Sequence, residues 1–287
     1  MMDVAITLFQ GRVADHNNLA IPGAKSVARM LADQLGLGIT VVGTPAPALN
    51  AGWQTELDAA MPDLRALAAQ LDEVFARRAR PLSATNRCAA SLAILPVVAR
   101  HRPDVCVVWF DAHADLNTPS TTDSDYLGGM ALSGPAGLWE SGLGAGLALS
   151  NVVLVGQRDL DAAEVRLIES GAVTHVPPGP ELADRLRAAV AGRAVYMHLD
   201  CDVLNPGIVP TDYVVEDGLS LDDLHAACAV LAESEMIGLE IAEFQNAWEE
   251  GGEPVSPAHL IAALAPVLKA LRRSVQLQAA GQMAEHR

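Results

Sequence analysis

Val107-Val108-Trp109-Phe110-Asp111-Ala112-His113-Ala114-Asp115 is the stretch that decides the fold. A short apolar run ends in three side chains able to bind a metal, spaced two apart. A run of Val and aromatic residues reads as a strand buried on both faces. In extended backbone residues i, i+2 and i+4 share one face, so Asp111, His113 and Asp115 are expected to converge. Similar runs recur outward from this point: Val4–Phe9, Ile39–Val42, Val105–Phe110, Val152–Val155, Val195–Leu199 and Ile237–Ile241 read as strands. Between them Gly23–Leu35, Glu56–Arg78, Ala89–Arg100, Ala162–Ser170, Glu181–Ala191, Leu221–Ala232 and Pro257–Arg272 carry helical patterning. Ser220-Leu221-Asp222-Asp223 resembles a capping box, and Pro257 suits a first helical turn. Repeated β-then-α order predicts an α/β fold: a largely parallel sheet covered by helices on both faces. Ligands of such sheets gather beyond the carboxyl ends of the strands.

A second strand, Val195-Tyr196-Met197-His198-Leu199-Asp200-Cys201-Asp202, also ends in carboxylates two apart. Four carboxylates and an imidazole at one sheet edge repel unless cations neutralise them. Oxygen-rich sites with some imidazole suit Mg²⁺ or Mn²⁺, and Mn²⁺ tolerates nitrogen better. The alternative for either motif alone is a cluster that caps and fixes a loop. Residues 116–146 and 205–218 are rich in Gly, Ser, Thr and Pro, as functional loops are. No repeat or linker divides the chain, so residues 1–287 read as one domain with a short tail at 276–287.

Composition narrows the function classes. The 287 residues hold 19 Lys+Arg against 35 Asp+Glu, a net charge of −16, and 51% are hydrophobic. That is enough apolar material for a large core. The charge argues against a nucleic-acid binder, which must neutralise phosphates, and suits a cationic ligand or a metal. No apolar run is long enough to cross a membrane, and the start lacks a secretory pattern. Cys88, Cys106, Cys201 and Cys228 have no CxxC pairing, which fits reduced thiols and a cytoplasmic location.

Asp111-Ala112-His113-Ala114-Asp115 and Asp200-Cys201-Asp202-Val203-Leu204-Asn205-Pro206 resemble the two signature motifs of the arginase/agmatinase (ureohydrolase) family. The likeness extends to the loop from Asp111 to Ser124, to Gly156-Gln157-Arg158-Asp159-Leu160-Asp161 and to Leu239-Glu240-Ile241-Ala242-Glu243-Phe244. The resemblance implies a three-layer α/β/α fold with a mostly parallel eight-stranded sheet. It also implies two Mn²⁺ per subunit, a small guanidino amino acid as substrate, and a homo-oligomer, trimer or hexamer. Position by position, Asp111 and Asp200 would bridge the metals, Asp115 would complete the more buried one, and His113 and Asp202 would hold the second. Asp115 would also orient the nucleophile and Glu243 would hold the guanidino group. Asn117, Thr122 and Ser124 would take the substrate's α-carboxylate and Asp161 its α-amino group. Asn205 stands where the family usually has Asp, at a structural position.

Two departures bear on the reaction. Cys88, in Thr85-Asn86-Arg87-Cys88, replaces a ligand histidine of the family, and is expected either to ligate as a thiolate or to be a small buried residue that leaves the metal one ligand short. Gly128, in Ser124-Asp125-Tyr126-Leu127-Gly128-Gly129, replaces the family's proton-shuttle histidine, so solvent or His198 would serve, or the substrate would need less help. An N-hydroxyguanidine is far less basic than an ordinary guanidinium. The pattern resembles the family branch that hydrolyses Nω-hydroxy-L-arginine to hydroxyurea and L-ornithine. The alternatives are ordinary arginase or another guanidino-acid hydrolase, and a non-catalytic metal-binding member. A deacetylase of the broader fold fits the substrate loop less well.

Overall fold

The computed structural model describes residues 3–273, so the expected tail at 276–287 lies outside the described residues. The elements run β1 (Val4–Phe9), α1 (Ala20–Leu35), β2 (Ile39–Val42), α2 (Trp53–Ala76), β3 (Arg80–Ala84), α3 (Ser91–His101), β4 (Cys106–Phe110) and β5 (Val152–Val155). They continue as α4 (Ala162–Glu169), β6 (Thr174–Val176), α5 (Leu182–Val190), β7 (Val195–Asp200), α6 (Leu221–Leu231), β8 (Met236–Ala242), α7 (Ala258–Ala263) and α8 (Ala265–Leu271). The eight strands form one sheet in the order β2-β1-β3-β8-β7-β4-β5-β6. Every pairing is parallel.

Period-2 alternation divides each central strand between two cores. Cys106, Val108 and Phe110 of β4 pack with residues of α1, α5, α6 and α8, whereas Val107 and Trp109 pack with α2 and α3. Because both faces are covered, β4 is buried along its whole length. This explains why these strands read as continuous apolar runs. The capping box at Ser220 forms as expected: its hydroxyl accepts the Asp223 N–H at 3.1 Å, and the Asp223 carboxylate accepts the Ser220 N–H at 3.0 Å.

Three elements differ from the sequence reading. β3, unread because it opens Arg80-Pro81, lies near the middle of the sheet between β1 and β8. Buried Arg80 donates to the carbonyls of Ala270 and Leu271, satisfying the end of α8. β6 is only three residues long, too short to show a period. The helix expected over Pro257–Arg272 is two, parted at Leu264 ahead of Pro266, which cannot donate to a continuing helix.

Candidate metal centre

The four adjacent strands β3, β8, β7 and β4 all point their carboxyl ends at one place. Cys88 follows β3, Glu243 follows β8, Asp200 ends β7, and Asp111 follows β4. The motif that opened the sequence reading does not converge along an extended strand. β4 stops at Phe110, residues 111–113 bend, and Asp115 takes a left-handed backbone with φ +53°. Glu243 is left-handed too, at φ +64°. Non-glycine residues are uncommon there, and such strain persists where surrounding contacts enforce it.

Carboxylates and ring nitrogens interlock around this point. Asp111 Oδ1 accepts the His113 N–H at 2.7 Å, and Asp200 Oδ1 accepts the Asp202 N–H at 2.7 Å. His113 Nδ1 lies 3.3 Å from Asp111 Oδ1 and 3.2 Å from Asp202 Oδ2. Trp109 Nε1 donates to Asp111 Oδ2 at 2.9 Å, setting the carboxylate's orientation. The Cys88 thiol donates to Asp200 Oδ2 at 2.9 Å and lies 3.2 Å from His198 Nε2. His198 is fully buried, stacked on Trp109 with ring centroids 3.5 Å apart, and its Nδ1 is 3.2 Å from Glu240 Oε2. It supports Cys88 from beneath and is not among the residues lining the cavity above.

Charge repulsion marks the site as a cation cage. Burial, and then the charge of a neighbouring carboxylate (Asp202 for both Asp111 and Asp200, Asp111 for Asp115), push these three carboxyls above the usual carboxylate range. Burial and the neighbouring Asp200 also push the Cys88 thiol well up. Burial opposes the charge of His113, yet bonds to Asp111 and Asp202 hold its imidazolium far above the usual value, and the same pairing outweighs burial to keep Asp202 low. Three overlapping groups, Cys88–Asp111–His198, Cys88–Asp200–Glu243 and Asp111–His113–Asp202, each bring their donor atoms within 4.8 Å of one another. Buried carboxylates gathered with a thiol and an imidazole, of which only Glu243 meets a guanidinium among the described residues, fit divalent cations.

Above the cage lies a cavity of about 200 Å³ lined by Cys88, His113, Asp115, Asp200, Asp202 and Glu243 on one side and by Asn117, Ser124 and Asp161 on the other. Asp111 sits below the wall, fully buried. Thr122 does not line the cavity; its hydroxyl accepts the Asp125 N–H at 3.1 Å and shapes the loop. Asn117 Nδ2 donates to Asp161 Oδ2 at 2.6 Å, tying the loop after β4 to the start of α4. Asn205 accepts the Gly218 N–H at 2.9 Å, a purely loop-fixing contact. Arg158 of the Gly156–Asp161 motif bonds the carbonyls of Asp202 and Val215, fastening the end of β5 to the loop after β7.

Two residues that the sequence reading passed over belong here. The ring of Tyr126 occupies the space beside Gly128: a Cβ built on Gly128 would stand 2.3 Å from its Cε1. Tyrosine thus fills the volume a side chain at 128 would need. Tyr126 is among the residues that line the cavity, while its hydroxyl oxygen is buried without a hydrogen-bond partner. Arg87, fully buried, places Nη1 2.8 Å from Glu243 Oε2 and 2.9 Å from Asp212 Oδ2, and Nε 3.3 Å from Asp15 Oδ1. Cys88 N–H takes the other Glu243 oxygen at 2.8 Å. Burial raises the Glu243 carboxyl to about 7 despite the opposing pull of Arg87. The available signal was an arginine immediately before an expected ligand.

Comparison with known proteins agrees with this geometry. The model of the Arginase family matches residues 11–265. Nω-hydroxy-L-arginine amidinohydrolase of Streptomyces lavendulae is 43% identical over 243 residues, covering 85% of this chain and 88% of its own length. The arginase of Bacillus caldovelox superposes with a TM-score of 0.77 at 23% identity, over 96% of this chain and 100% of that one. Proclavaminate amidino hydrolase of Streptomyces clavuligerus superposes with a TM-score of 0.69 at 18% identity, over 95% and 93%.

Proposed function

Because the chain belongs to the arginase family and is a hydrolase of C–N bonds in linear amidines, we propose that it cleaves Nω-hydroxy-L-arginine to hydroxyurea and L-ornithine with two manganese ions. The observation that carries this reading is the pairing of Cys88 with Gly128 at the cavity, joined to 43% identity with the relative bearing that activity. In the cage, Asp111 and Asp200 would bridge the cations, Asp115 and Cys88 would hold the deeper one, and His113 and Asp202 the other. When bound, the pair neutralises the converging carboxylates and makes water a competent nucleophile near neutral pH.

The chain's own residues supply the rest. Asp115 accepts a hydrogen bond from the attacking water and orients it towards the guanidino carbon. Glu243 accepts N–H bonds from the guanidine and holds that carbon at the near-attack distance of about 3–3.5 Å. Asn117, Ser124 and Asp161 grip the α-carboxylate and α-amino ends, while Thr122 acts through the loop that carries Ser124. Water adds to the guanidino carbon, the bond to the chain nitrogen breaks, and that nitrogen takes a proton to leave as ornithine. With Gly128 unable to transfer a proton, solvent in the cavity would supply it.

The test is a substrate panel on manganese-reconstituted protein. Hydroxyurea release from Nω-hydroxy-L-arginine, with far lower kcat/KM for L-arginine, is the expected result. Comparable urea release from L-arginine would make it an ordinary arginase. No release from either compound at full metal content would leave only a metal-binding member of the family.

A further inference from the structure

Both oxygens of Glu243 are already engaged, one by the Cys88 N–H and one by Arg87. Arg87 cannot withdraw from that contact. Its guanidinium is fully buried and also bound by Asp212 and Asp15. Those two carboxylates are themselves fixed, Asp15 by Asn86 Nδ2 at 2.8 Å and the Val13 N–H at 3.0 Å, Asp212 by His16 at 3.0 Å and Asn17 Nδ2 at 2.9 Å. A second guanidinium brought to Glu243 would share a carboxylate whose charge already pairs with Arg87, and so would regain little of the hydration it gives up on entering. A neutral guanidine gives up far less hydration, and its N–H groups still find the remaining lone pairs of Glu243.

We propose that Arg87 is a specificity-determining residue: by occupying Glu243 it makes the cavity select a guanidine in its uncharged form over a cationic guanidinium. The inference rests on the reading of Glu243 as the carboxylate that faces the guanidino group. The selected chemical class is a guanidine whose basicity is lowered by an electron-withdrawing substituent, so that its neutral form is within reach near neutral pH. Arg87 acts through Glu243 and is a positioning residue, outside the cavity lining itself.

Calorimetric binding to manganese-loaded protein at pH 7 tests this with two probes of similar size, cationic Nω-methyl-L-arginine and uncharged Nω-nitro-L-arginine. The expected result is tighter binding of the nitro compound by about tenfold or more. Arg87→Lys keeps that ratio, and Arg87→Met collapses it through a gain by the methyl compound. Equal affinities in the unaltered protein, or a preference for the methyl compound, overturn the proposal whether or not the variants fold. If the ratio holds while Nω-hydroxy-L-arginine is not hydrolysed, charge selection stands and the reaction reading falls.

Discussion

Cys88 touches both halves of the cage at once, the Asp200 carboxylate on one side and the His198 ring on the other. Cys88→Ser keeps the size and the hydrogen bonds but loses the thiolate. If the thiolate ligates, manganese affinity should fall by at least the about 10- to 100-fold that loss of an outer-shell partner costs. Titration calorimetry reads this, and an unchanged affinity would assign Cys88 to packing. Asp200→Ala should abolish both metal retention and turnover, checked by metal analysis beside activity; normal metal content with retained rate would remove the bridging role. At Gly128 the expectation follows from volume. Gly128→Ala puts a methyl group into the Tyr126 ring and should cost about 1–3 kcal/mol of stability, with Tyr126→Ala in the same chain recovering most of it. A denaturant-unfolding cycle measures the coupling. These single-residue roles were unevenly legible. Ligand types two apart at strand ends announce themselves, but Arg87 meets its partners across 72, 125 and 156 positions of chain, distances at which local pattern carries no information.

Elements aim those residues, and their own errors of reading have physical causes. β3 was missed because Pro81 removes a donor and Arg80 looks solvent-seeking; in the sheet, Arg80 instead binds the end of α8. Tertiary partners override a weak local preference for loop. The approach of α1 to the end of β8 depends on Gly23, where an added Cβ would stand 1.8 Å from the Phe244 carbonyl oxygen. That contact lies one residue from Glu243, so Gly23→Ala should displace the turn carrying it. We expect a loss of about 1–3 kcal/mol in urea unfolding together with a lowered kcat at intact manganese content. Unchanged kinetics would show that the turn is held independently of α1.

Across the whole molecule, five of the 35 acidic residues, Asp111, Asp115, Asp200, Asp202 and Glu243, are buried together in one cage. Asp111, Asp115 and Asp200 hold their protons more tightly folded than unfolded, and buried Glu164 is raised to about 7. Groups with raised folded pKa stabilise the fold below their unfolded values, and that contribution is lost as pH rises through the folded ones. Chelated protein should therefore lose melting temperature as pH climbs from about 5 to 8, whereas manganese-saturated protein should lose much less, since the cations replace the protons. Parallel melting slopes with and without metal would refute the cage. The four cysteines are free and buried, and no helix among the described residues is long and apolar enough to cross a membrane. The chain by itself determined the layered α/β class, six of the strands and the identity of the anionic cluster, because apolar periodicity and ligand spacing are local. Which strands became neighbours, how Asp115 and Glu243 were bent inward, and how Arg87 came to hold Glu243 were decided only when the sheet closed, because burial and charge pairing act between surfaces that the linear order keeps far apart.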